Sequence, residues 1–135
     1  MLRSRWRAGP AAGAQGPVLV AITEFTARNP LHLPGIARAG FALAREWDDL
    51  EGAVGVWLWA EPGRRRTGSV SVWTGERAVR GFVRLPAHVA IMRRYRGRGS
   101  LSSATWTAER FDEREIWRTA YRRLSRAPEG AAPRP

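Results

Sequence analysis

The chain has 135 residues, 44% of them hydrophobic, and a formal net charge of +11. That is enough for one domain with its own apolar core. The absence of cysteine excludes disulfides, thiolate metal sites and a cysteine nucleophile.

Every basic residue is arginine, and there is no lysine. A polyanionic partner would explain that bias. A GC-rich coding sequence, which also favours Ala, Gly and Pro, is the simpler explanation. The only histidines are His32 and His88, and no HExxH-like spacing occurs, so no protein-only metal site is expected. No apolar run approaches the ~20 residues of a membrane span, and Met1 to Gly16 lacks the apolar stretch of a secretory signal. A cytoplasmic protein is the expectation.

Residues 1–16 carry Arg3, Arg5 and Arg7 among Gly, Pro and Ala, and read as a disordered basic arm. Val18 to Phe25 is β-branched and apolar, the pattern of a buried strand. Asn29, Pro30 and Pro34 break the chain and open a helix. Ile36, Ala37, Gly40, Phe41, Ala44 and Trp47 form its stripe over about 35–49. Gly52 to Ala60 predicts a second strand. Pro62, Gly63 and Arg64 to Arg66 form a turn, and Ser69 to Trp73 is a third strand paired to the second. Ala78, Val79, Phe82 and Val83 mark the next helix. Pro86 removes a helical hydrogen bond, which predicts a break near Leu85 and a new helix from Pro86 to about Tyr95. Leu101 to Ala108 is the fourth strand. Asp112 and Glu115 have capping-box spacing and start a terminal helix carrying Ile116, Trp117, Ala120, Tyr121 and Leu124. Residues 126–135 read as a frayed tail.

The order β-α-β-β-α-β plus a helix is the split βαβ arrangement, an α+β ferredoxin-like fold over residues 17–125 with a four-stranded antiparallel sheet. Alternation sorts the strand residues into two faces. Val18, Val20, Ile22, Val54, Val56, Leu58, Val70 and Val72 form an aliphatic face suited to the helices. Phe25, Trp57, Trp59, Ser69, Ser71 and Trp73 form the other, which Trp106 could join. Three tryptophans at ~150–250 Å² each exceed the apolar patch that a soluble monomer exposes. A second copy covering that face, as an isologous homodimer, is one solution. A ligand cavity lined by these residues is another, and ordinary core a third.

Ser69 to Arg96 (SVSVWTGERAVRGFVRLPAHVAIMRRYR) resembles the dimeric α+β-barrel proteins of the antibiotic-biosynthesis-monooxygenase type. It also resembles the C-terminal half of spheroidene monooxygenase. The shared pattern is a strand ending in Trp, a short helix ending in Phe-x-Arg, and Pro-x-His opening the next helix. The resemblance implies a dimeric α+β barrel. It also implies monooxygenase-like chemistry, cofactor-free or with haem. Haem-degrading relatives place a Trp and a His where this chain has Phe82 and Met92, which speaks against haem degradation.

His88 is the strongest candidate for chemistry. A helix start disfavours its protonated form, so a neutral imidazole could act as base or haem ligand. His32 sits in a Pro-flanked loop, where packing is the simpler role. Trp57, Trp59, Trp73 and Trp106 are candidate walls for a hydrophobic substrate. Ser69, Ser71, Thr105 and Thr107 are the small polar groups near them. Arg94, beside Tyr95 in a run with Arg93, Arg96 and Arg98, could hold a carboxylate or phosphate. Three functions stay open. One is a monooxygenase-like enzyme for an aromatic or polyene molecule. Another is a non-catalytic dimer that binds a ligand or assembles. The weakest is Arg-mediated nucleic-acid binding, because the third strand lacks an RNP1 pattern.

Overall fold

The computed structural model describes residues 1–125; the predicted tail lies outside them. In chain order the elements are β1 (Leu2–Arg3), β2 (Arg7–Ala8), β3 (Val18–Ala27), α1 (Leu33–Ala44), β4 (Ala53–Glu61), β5 (Arg66–Trp73), α2 (Glu76–Val83), α3 (Pro86–Tyr95), β6 (Gly99–Ala108) and α4 (Glu113–Ser125). The antiparallel sheet runs β1-β4-β5-β3-β6, with β2 also on β4. The α+β ferredoxin-like core is therefore present, and the sheet is open. No helix of the described residues is long and apolar enough to cross a membrane.

Local chemistry sets the boundaries. The Asn29 side chain accepts from the Leu31 amide at 3.0 Å, and Pro30 and Pro34 occupy first-turn positions where a missing N–H costs nothing. Leu85 is extended (ψ 136°) ahead of Pro86, so two helices replace one, as the proline requires. Asp112 accepts from the Glu115 amide at 3.2 Å, capping α4.

The arm departs from its predicted disorder. Leu2 and Arg3 pair with Ala60 and Trp59, while Arg7 and Ala8 pair with Val56 and Gly55. Trp6 explains the order, because it buries its ring against Trp57 and Phe111 at 4.3 and 5.1 Å between centroids. Gly55 makes room, since a side chain there would overlap the Trp6 indole. A composition argument about Gly and Pro misses one aromatic anchor.

The two faces also differ from expectation. Ala53 pairs with Trp73 but Gly55 with Val72, so Val54 is an extra, bulged residue. The bulge inverts the parity of β4 relative to β5. Trp57 and Trp59 join Val18, Val20, Ile22, Val54, Val70 and Val72, while Val56 joins Trp73. The first face is covered by α4, through Ile116, Ala120 and Leu124, and by Trp6 and Trp117. The second face packs against α1, α2 and the turn after α1. Thus the aliphatic face lies under α4 and the arm, not under the main helices. No bare tryptophan face exists among the described residues: Trp57, Trp59 and Trp73 are 2%, 2% and 1% exposed. The case for pairing that rested on uncovered indoles is overturned.

Candidate functional site

Between the sheet and helices α1 and α3 lies a cavity of about 900 Å³. Its floor is the second sheet face: Ala21, Thr23 and Phe25 of β3, Leu58 of β4, and Ser69, Ser71 and Trp73 of β5. Ile36, Ala37, Gly40 and Phe41 of α1 form one wall, and His88, Ile91, Met92 and Tyr95 of α3 the other. The spacing of 88, 91, 92 and 95 is one helical face. The space persists because α1 offers small residues to the sheet; Gly40 stands over Leu58.

One end is aromatic. Trp73 lies 5.2 Å from Trp47 and 5.2 Å from Phe82, centroid to centroid, and Phe82 lies 4.7 Å from the His88 ring. The floor hydroxyls are already occupied. Thr23 and Ser69 share a hydrogen bond of 2.8 Å, and Ser71 accepts from the Trp73 indole at 2.8 Å. The cavity therefore presents mainly hydrocarbon and ring surface to an occupant, the character of a small-molecule site.

His88 is the ionisable group best suited to chemistry here. Its Nδ1 is 3.2 Å from the Val83 carbonyl oxygen. A carbonyl only accepts, so Nδ1 carries the proton and Nε2 keeps the lone pair. Burial pushes the His88 pKa below the ordinary histidine value, with the Val83 carbonyl opposing. The imidazole is neutral at neutral pH, as a general base or a metal ligand requires. With Nδ1–H anchored and Nε2 free, His88 is the residue that would hold haem, which would supply dioxygen activation if bound. No cluster of three His, Asp or Glu that could hold a bare metal ion occurs among the described residues.

The sequence-derived candidates divide. His88, Trp73 and Tyr95 line the cavity. Trp59 borders it, but its indole belongs to the core of the other face, with the Arg66 guanidinium 5.7 Å above it. Trp57 lies wholly on that other face, and Trp106 is there too, under Arg123 at 4.6 Å. Arg94 is exposed beside the Tyr95 ring at 5.8 Å, and Arg96 is the arginine of that run that reaches the cavity wall. His32 ends a short 3-10 turn before α1, away from the cavity lining. Sequence reasoning missed Trp47 and Phe82 as walls. Both stood on apolar stripes, and a stripe alone cannot tell core from cavity lining.

No protein-family model and no curated protein matches the chain. Solved structures do. SnoaB, a cofactor-independent oxygenase of Streptomyces nogalater, aligns with a TM-score of 0.54 and 20% identity, covering 71% of this chain and 97% of its own. The fold is the one this oxygenase has. A Nitrosomonas europaea protein provisionally assigned as an antibiotic biosynthesis monooxygenase aligns with a TM-score of 0.59 and 7% identity, over 71% of this chain and 92% of its own. A conserved Methanosarcina mazei protein gives 0.57 and 10%, over 70% and 93%. The ferredoxin-like fold read from the element order is that of these structures; at such identities they carry the fold alone.

Proposed function

We propose that the chain is a monooxygenase-like enzyme that takes a hydrophobic aromatic molecule into the cavity between the sheet and α3. The observation that carries this is His88, a neutral base with its tautomer fixed by Val83, standing against the Phe82–Trp73–Trp47 wall. The oxygenase likeness of the fold supports it.

The chain's own groups suit a reaction in which the substrate supplies the electrons. The Nε2 lone pair takes a proton from an acidic CH₂ flanked by hydroxylated rings. The resulting anion is electron-rich enough to reduce dioxygen. Overall the CH₂ becomes a ketone, one oxygen atom enters as C=O, and the other leaves with the two hydrogens as water. The cavity contributes orientation and exclusion of water.

The test is oxygen uptake with 1,8-dihydroxyanthrone, measured above its autoxidation. His88→Ala is expected to lower kcat by about 10²- to 10⁴-fold, the range of a lost general base. Activity of the parent is flat at neutral pH and falls in acid through the His88 pKa, below the ordinary histidine value. An unchanged rate in His88→Ala removes it from the mechanism. Binding without turnover leaves the non-catalytic binding protein. A homodimer stays a proposal on different ground: Phe41 and Leu101, at 52% and 48% exposure, are apolar residues at the cavity rim that a second copy would cover.

A further inference from the structure

We propose that the cavity's ligand is an anion, with its apolar body against the aromatic wall and a carboxylate head at the C-terminal end of α3, held by Arg96 at the cavity wall with the charge of Arg98, beside the Tyr95 ring, supporting it. This rests on the reading of the cavity as a small-molecule site.

Three chain segments bring arginines to that end. Arg98 accepts at its backbone oxygen from the Arg28 amide (2.9 Å). Arg65 donates from its guanidinium to the Arg28 carbonyl (3.0 Å). Arg94 and Arg98 flank the Tyr95 ring at 5.8 and 6.0 Å, and Tyr95 and Arg96 are in the cavity wall. Arg65 holds its place at φ 57°, a left-handed conformation that disfavours side chains other than glycine.

The balance of charge there is one-sided. Among the described residues no acidic group pairs with Arg28, Arg65, Arg94, Arg96 or Arg98, and the nearby Glu24 and Glu61 are engaged by Arg66. The α3 C-terminus contributes only about half a negative charge, so the arginines gathered at this end outweigh it. Arg3, the other arginine along the wall, places its guanidinium 4.6 Å over Trp117 on the opposite face. A planar fork of donors suits a carboxylate. Arg96 follows His88 by eight residues, about 12 Å of helix rise. The ligand therefore spans from a reacting group at His88 to an acid at Arg96, as a three-ring aromatic acid would.

Anthracene-2-carboxylate and its methyl ester test this by fluorescence titration at low salt. The acid is expected to bind about 10- to 100-fold more tightly than the ester, the range for a charge-assisted hydrogen-bonded pair. The paired variant Arg96→Gln, Arg98→Gln should erase that difference and leave ester affinity unchanged. Equal binding of acid and ester by the parent overturns the head-group assignment and leaves the cavity reading standing. Binding of neither overturns the cavity reading and this one with it.

Discussion

Replacing Trp57 with alanine is expected to destabilise the chain by about 3–5 kcal/mol, the usual cost of a large aromatic lost from a core. Trp57 is the hub of the covered face: Trp6 packs on it at 4.3 Å, Trp117 at 5.6 Å, and the Arg3 guanidinium lies 5.4 Å from its ring. Its loss removes the seat of both the arm and α4. Since domains are stable by roughly 5–15 kcal/mol, urea unfolding should show a large fall in midpoint. Ligand affinity of the folded fraction should be unchanged, because the cavity is on the other side of the sheet. A small stability loss with loss of ligand affinity would place Trp57 in the site instead.

Arg66→Met is the second large effect. The Arg66 side chain is only 9% exposed, and its guanidinium reaches Glu61 (2.7 and 3.1 Å) and Glu24. Removing it strands two carboxylates at 21% and 24% exposure. Breaking a fully buried pair costs about 3–5 kcal/mol; partial exposure of both acids puts the expected loss near the lower end, about 3 kcal/mol. The sign of the pH response separates this from simple loss of packing. In the parent, the Arg66 hydrogen bond holds the Glu61 pKa below the ordinary carboxylate value. Glu61 therefore contributes stability that is present above that ordinary value and lost as pH falls through its folded pKa. In Arg66→Met the Glu61 carboxylate loses the partner that held its pKa down, so acid narrows the gap between variant and parent. Adding Glu24→Gln and Glu61→Gln should recover part of the loss at neutral pH. A gap that is constant with pH would assign the loss to packing around Trp59.

These effects show what the sequence could and could not reveal. Element order was legible because each element carries its own signal: the β-branched run of β3, Pro86 between α2 and α3, and Asp112 at the start of α4. His88 was legible because Pro86 fixes a helix start two residues ahead of it. The assignment of tryptophans to faces was not. It depends on the parity of β4, and one bulged residue, Val54, reverses it; nothing local in Ala53 to Trp59 announces that register. The arm was illegible for a related reason. Trp6 is ordered by Gly55 and Phe111, contacts that are far apart in sequence. Arg94 was chosen over Arg96 because position within an exposed run does not show which side chain meets a cavity.

The division of aromatics between the two faces is tested most directly by indole N–H resonances during titration with anthracene-2-carboxylate. Trp73 and the His88 ring should shift with ligand, while Trp57, Trp106 and Trp117 stay in place. Saturable shifts at Trp57 and Trp117, with Trp73 and His88 silent, would put the ligand under α4 and contradict the cavity between the sheet and α3.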